Sequence, residues 1–592
     1  MTLPPGFEVE LFGGAFPGRD RSVTLSRDTA FLGTMGFNDA TTWLLLKPPL
    51  VTVASIQFAQ SLLDDSEDAR LMLVANKAAL LKVNVTAPAG TVAPAGMVSL
   101  HNTIDGSRHD LVLDPPRRGM PAMLSQTQSL DDAYSARIPA ELVKPGLQVT
   151  VTVGRAAPRS ITPRVGPGIA MRFVPIPVRI GSLTGQLPPD PTAYLSALFP
   201  VSSVTLGSHP VFVPTTVTTL PGTDDEWGGA FLHLLVELET LRRLEGASGQ
   251  DYYFGFVPKG DTGQIGFSVP MGNSALGFDR SDDPEEVLKN VAHELGHNFA
   301  LNHAPCGGVR AWDASYPYPD ATLGVPGHHV WSYRADLDVF VDPRPADRRD
   351  LMSYCGGTAF SDYSYRRMQF FLPWKAYHPV MHSPPAASGA ALSSSTAAPA
   401  ANAAQRKGVQ EVLLISGSIL GDQVALHPVK SLAARPDASL GPYVLRLQSR
   451  TGEIQDHAFR PRSTSHGGTR LLFSVQVPTL EDIARIEVLR DGTALSQVPF
   501  QAGGGRSKRS VPPAAPGEAH LTEAAGQATF RWDAVNTPFL SVTWTDGTRR
   551  VNLARDLTGG EASLATHELP AAGRFELSLS DGLNARRIEL SR

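Results

Sequence analysis

The stretch Val291-Ala292-His293-Glu294-Leu295-Gly296-His297-Asn298-Phe299-Ala300-Leu301-Asn302-His303 constrains this chain more than any other. Read as a helix that ends in a turn, it sets His293 and His297 one turn apart on one face, with Glu294 on the flank of that face. Two imidazoles at that spacing can share one zinc ion. His303 lies beyond the helical row and becomes a third ligand only if the chain turns back after about Phe299. Three nitrogen ligands then leave a fourth position for water, the arrangement of a catalytic zinc rather than a closed structural one.

Each residue type has a chemical reason to be there. Zinc lowers the pKa of a bound water from about 16 to about 7, so hydroxide is available at neutral pH. Glu294 supplies a carboxylate that can take a proton from water and pass it to a leaving amine. The helix starts well, with Asp282 or Asp283 as cap, Pro284 in the first turn, and Glu285 and Glu286 favourable to the helix dipole. Leu288, Val291, Leu295 and Phe299 form a buried stripe offset from the histidines.

These residues resemble the motif of the metzincin zinc metallopeptidases, H-E-x-x-H-x-x-G-x-x-H with a downstream methionine turn. The downstream element corresponds to Asp350-Leu351-Met352-Ser353-Tyr354-Cys355. The resemblance, which covers roughly residues 165–381, implies a mixed sheet with helices and zinc held by His293, His297 and His303. It also implies Glu294 as acid and base, Met352 as the hydrophobic floor, and Tyr354 reaching the metal or the reaction's oxyanion. His297-Asn298 followed by an aromatic looks most like reprolysin-type and secreted bacterial mucinase-type members. The chain departs from the motif at Ala300, where the family has glycine. A left-handed Ala costs about 1 kcal/mol or more, so either the turn is built differently or strain is tolerated.

Cys306 and Cys355 are the chain's 2 cysteines and flank the two halves of this motif. The expectation is a disulfide tying the third-ligand turn to the methionine turn, which would imply an oxidising compartment. A pair of buried thiols is the alternative, since spacing alone does not supply disulfide geometry.

A net charge of -5 offers no field for nucleic acid, and no basic stripe is interleaved with aromatics. No run approaches the length of uninterrupted apolar residues that would span a membrane. Residues 1–6 lack the basic and apolar regions of a secretory leader. The cysteine reading nevertheless places the protein outside the cell or on its surface.

The length of 592 residues is too great for one core. Residues 1–50 read as a β-rich segment. Residues 51–164 read as an antiparallel β-sandwich, with Leu81 to Thr86 and Leu147 to Val153 alternating. Residues 165–381 hold the motif. Within them Thr223 with Glu226 forms a capping box ahead of a long amphipathic helix, and Tyr252 to Val257 is a β run. Gln264 to Pro270 takes the position of an edge strand that can pair with an extended peptide. His328 and His329 read as rim residues, and Asp336, Asp338 and Asp342 as a solvated acidic stretch lacking the pattern of a calcium loop. Residues 382–407 and 503–517 read as linkers. Residues 408–502 and 518–592 read as two further β-sandwiches, the last immunoglobulin- or fibronectin-like.

The fold class expected is therefore multidomain α+β, a metzincin-like domain flanked by antiparallel sandwiches. The function expected is zinc-dependent cleavage of extended polypeptide or glycoprotein substrates. The alternative is a noncatalytic extracellular adhesion protein with a structural zinc site. Glu294 separates the two, because a structural site needs ligands and no base.

Overall fold

The computed structural model describes residues 8–13, 22–25, 41–47, 51–258, 266–279, 283–309, 312–345, 347–377, 408–466, 469–498 and 519–592. The linkers expected at 382–407 and 503–517 lie outside the described residues. The chain is multidomain and mostly β, with helices concentrated between residues 192 and 377. Among the described residues no helix is long and apolar enough to cross a membrane.

The N-terminal segment contributes three antiparallel strands, Glu8–Gly13, Ser22–Leu25 and Thr41–Lys47. Beyond residue 51, two four-stranded sheets face each other across a core that includes Phe58, Leu81, Val98, Tyr134 and Val149. Strand Leu147–Val153 alternates strictly between buried and half-buried positions, as one sheet face on a core requires. In strand Ala79–Thr86 the alternation expected over Leu81 to Thr86 holds except at Lys82, which is buried as well. Its outer face is covered: Leu80 packs with Ala59, Leu63 and Tyr333, and Tyr333 belongs to a hairpin of the following unit.

That unit is built on a five-stranded mixed sheet. In chain order its strands are β1 (Ala170–Pro177), β2 (Ser203–Leu206), β3 (Asp251–Val257), β4 (Gly266–Ser268) and β5 (Ser274–Phe278). Their order across the sheet is β2-β1-β3-β5-β4, parallel throughout except for the antiparallel edge strand β4. Helices cover both faces, so β3 is buried along nearly its whole length, as a central parallel strand must be. Helix α1 (Thr192–Leu198) precedes β2. Helix α2 (Asp224–Leu244) opens on the Thr223–Glu226 capping box and buries Phe231, Leu235 and Leu238. Helix α3 (Pro284–Asn298) carries the histidines, and α4 (Asp362–Tyr377) closes the unit.

Residues 408–498 and 519–592 each form a pair of packed antiparallel-rich sheets with its own core. They sit against α2. Leu244 joins Val412, Leu414 and Leu432 in one cluster, and Leu472 enters the cluster around Phe231 and Leu235. Charge is buried at this junction as well: Arg555 pairs with Glu237, each side chain 3% exposed.

Candidate metal centre

Helix α3 is capped by Asp283, whose carboxylate accepts from the Glu286 amide at 3.1 Å, with Pro284 in the first turn. Val291, Leu295 and Phe299 are fully buried on the core side, and Leu288 is partly buried beside them. The helix then ends in a Schellman turn: the Leu301 amide donates to the Gly296 carbonyl and the Ala300 amide to the His297 carbonyl, each at 3.0 Å. Ala300 adopts the left-handed conformation at φ 68°, so the turn is of the ordinary form and its strain is tolerated. Asn298 secures the same end, its Nδ2 donating to the Val269 carbonyl at 2.8 Å.

The reversal brings His303 back. The Nε2 atoms of His293 and His303 each lie 3.2 Å from His297 Nε2. Two zinc–nitrogen bonds at a tetrahedral angle would separate their nitrogens by about 3.3 Å. The tautomers agree with this. His293 Nδ1 donates to the Leu351 carbonyl at 2.7 Å and His297 Nδ1 to the Leu301 carbonyl at 2.8 Å, which leaves both Nε2 atoms as lone pairs facing inward. Lone pairs crowded to that distance repel unless a cation lies between them, so the donor set fits a metal ion such as zinc. Burial holds the His297 pKa well below its usual value, which keeps its Nε2 lone pair available.

The methionine turn closes the site from below. Met352 is fully buried, and a Cβ on Gly296 would lie 2.6 Å from its sulfur, so helix and floor are in direct contact. Asp350, also fully buried, shapes the turn by accepting from the Met352 and Ser361 amides, each at 2.8 Å. The Ala304 amide donates to the Met352 carbonyl at 2.9 Å, and the Cys306–Cys355 disulfide joins the two segments, with Cα atoms 5.8 Å apart. The thiol alternative is thereby excluded.

Glu294 is 1% exposed. Burial alone would raise its pKa, but His466 beside it outweighs burial and holds the group as a carboxylate. The Tyr354 ring stands 4.7 Å from that of His303, and burial followed by the Glu294 charge keeps its phenol protonated.

Two contributors were missed in the sequence because they come from the 408–498 sandwich. Ser465 Oγ donates to Glu294 Oε2 at 3.3 Å, and His466 Nδ1 lies 2.8 Å from the Tyr354 hydroxyl. The same two residues engage strand β4. The Ser465 amide donates to the Ser268 carbonyl at 2.9 Å, the Ser268 amide to Ser465 Oγ at 3.0 Å, and His466 Nε2 to the Gly266 carbonyl at 2.6 Å. The edge expected to stand open for a peptide is therefore paired with the protein's own chain. No local pattern in the sequence marks His466, because its role arises from the docking of one domain on another.

The remaining polar residues lie elsewhere. His328 Nε2 is 3.3 Å from Asp362 and is not in the histidine cluster. Asp336, Asp338 and Asp342 pair with Arg334, Arg137 and Arg344, which accounts for the acidic stretch without a cation.

No family model matches this chain, and no curated protein matches it. Among solved structures the chain is similar to the β-glucuronidase of Parabacteroides merdae crystallised with glycerol in its active site. Identity is 12% over 93% of this chain and 78% of that one, with a TM-score of 0.14.

Proposed function

We propose that this chain is a zinc-dependent endopeptidase of metzincin type, cleaving protein or glycoprotein substrates. The observation that carries this reading is the buried Glu294 carboxylate on the helix that presents His293 and His297. A site that held metal for structure alone would gain nothing from a buried acid beside it.

His293, His297 and His303 would hold zinc through their Nε2 atoms. When bound, zinc supplies a water acidic enough to attack at neutral pH and polarises the scissile carbonyl. Glu294 takes a proton from the attacking water and delivers it to the amide nitrogen as the C–N bond breaks, giving a carboxylic acid and an amine. The protonated Tyr354 hydroxyl donates to the carbonyl oxygen as negative charge gathers on it. The disulfide supports an extracellular or cell-surface setting, where such a bond persists.

The test compares wild type with Glu294→Gln in the full chain. Both are expected to hold one zinc per chain by metal analysis, while the variant cleaves an unstructured protein about 10²–10⁴-fold more slowly. If both hold zinc and wild type cleaves no more than the variant across a panel of unstructured and glycosylated proteins, the peptidase reading is wrong.

A further inference from the structure

Segment Thr464–His466 lies between strands Ile454–Phe459 and Arg470–Pro478 of the 408–498 sandwich, yet it reaches into the histidine site. The domain that carries it is fixed. Arg243 on α2 pairs with Asp437 at 2.8 Å, with side chains 10% and 17% exposed, and Leu472 is buried in the α2 core cluster. A segment held by so buried a junction is a standing part of the site rather than a tail that visits it.

The ring of His466 has both nitrogens committed. Its Nε2 donates to the Gly266 carbonyl, its Nδ1, protonated beside the Glu294 carboxylate, donates to the Tyr354 hydroxyl oxygen and leaves the phenol hydrogen for the substrate, and its face packs on Phe267 at 4.5 Å between centroids. Fixed from the strand side, the imidazole leaves the phenol oxygen one place to sit. Tyr354 needs such a partner, since its residue is 45% exposed. The same ring stands 3.9 Å from Glu294 Oε1, an electrostatic contact rather than a hydrogen bond, while Ser465 engages the other carboxylate oxygen.

We propose that His466 is a positioning residue of the peptidase centre, holding the Tyr354 hydroxyl where the carbonyl oxygen of the substrate gains charge, so that the centre is shared between two domains. This rests on the peptidase reading above for its catalytic consequence, though not for the contact itself.

The experiment uses the zinc-loaded full chain. His466→Ala is expected to lower kcat by about 10²-fold with KM within about threefold and zinc content unchanged, as loss of a group acting only on the transition state requires. His466→Gln, whose amide can reach the same two oxygens, recovers part of the loss. Adding Tyr354→Phe to His466→Ala costs nothing further, because the histidine acts through the tyrosine. A second readout is the visible absorption of the cobalt(II)-substituted chain, expected to change alike in His466→Ala and Tyr354→Phe. A kcat that stays the same or rises in His466→Ala overturns the proposal, a rise marking the segment as a plug. If wild type cleaves nothing, the peptidase reading falls by itself, and a cobalt spectrum identical in wild type and His466→Ala then overturns the positioning role as well.

Discussion

Gly296 and Met352 are in contact in a way that admits no side chain: a Cβ on the glycine would lie 2.6 Å from the methionine sulfur. The helix that presents the histidines therefore rests directly on the turn beneath them. That turn also supplies the Leu351 carbonyl that orients His293.

Gly296→Ala is accordingly expected to displace Met352 and with it the Leu351 carbonyl. Ala is the better helix former by about 1 kcal/mol, so a purely helical account predicts a stabilised protein. Steric displacement predicts the reverse, a loss of about 1–3 kcal/mol by overpacking, with zinc affinity weakened about tenfold or more. Denaturant melts together with competitive zinc titration decide between them, and an alanine variant that is more stable with unchanged affinity would refute the contact.

The Cys306–Cys355 bond closes a loop spanning 49 positions that contains both the chain after His303 and the turn carrying Met352. Replacing both cysteines with serine is expected to cost roughly 2–5 kcal/mol, through the freedom restored to the unfolded loop. Zinc affinity should fall with it, because the Ala304 and Tyr354 amide contacts that bridge the same two segments are left to hold them alone. Thermal melts with and without zinc measure both effects, and equal melting of wild type and the double variant would count against the bond.

Much of this architecture could be read residue by residue. The caps at Thr223 and Asp283 use short-range hydrogen bonds whose donors and acceptors lie three residues apart, so sequence order alone specifies them. The alternation of Leu147–Val153 survives because only one face of that strand is covered. The alternation expected over Leu81 to Thr86 is broken only at Lys82, on the face where neighbouring Leu80 packs with Tyr333 of a later hairpin, a contact no local pattern records.

The site divides along the same line. His293, Glu294 and His297 sit within one helical turn, and the reversal to His303 follows from a Schellman turn in which Ala300 accepts a left-handed backbone. Ser465 and His466 reach the site because a whole domain is docked on α2, and the packing of two remote surfaces leaves no signature within either. The edge strand expected over Gln264 to Pro270 is present at Gly266–Ser268, but its outer side is taken by Ser465 and His466 for the same reason.

The docking itself is exposed to a single substitution. Arg555 donates to both the Glu237 carbonyl and its carboxylate, and its guanidinium stacks 4.1 Å over the Phe212 ring. Arg555→Ala leaves the Glu237 carboxylate buried without its cation, at a cost of about 3–5 kcal/mol. Joint replacement, Arg555→Met with Glu237→Leu, removes both charges and should recover most of that stability. Denaturant unfolding of the three chains tests this, and a double variant as unstable as Arg555→Ala would show that packing, not the unpaired charge, sets the cost.

Lys77 provides the pH dependence. It is 6% exposed and places its ammonium on the Ser196 and Phe199 carbonyls, each at 2.7 Å, joining the first sandwich to the end of α1. Burial lowers its pKa from 10.5 to about 7. Between those values the unfolded chain binds the proton that the folded chain has released, so stability rises as pH is raised from 7 toward 10.5, and the penalty is fully present below 7. The gain is bounded at a few kcal/mol, since the two carbonyls solvate the charge and blunt the burial cost. Lys82, lowered to about 8 by burial, acts in the same direction, so the quantity to follow is the stability of wild type minus that of Lys77→Met. That difference should climb in favour of wild type across this window, measured by denaturant unfolding at intervals of one pH unit. A difference that stays flat would mean that Lys77 keeps its proton in the folded protein and that the carbonyls alone compensate its burial.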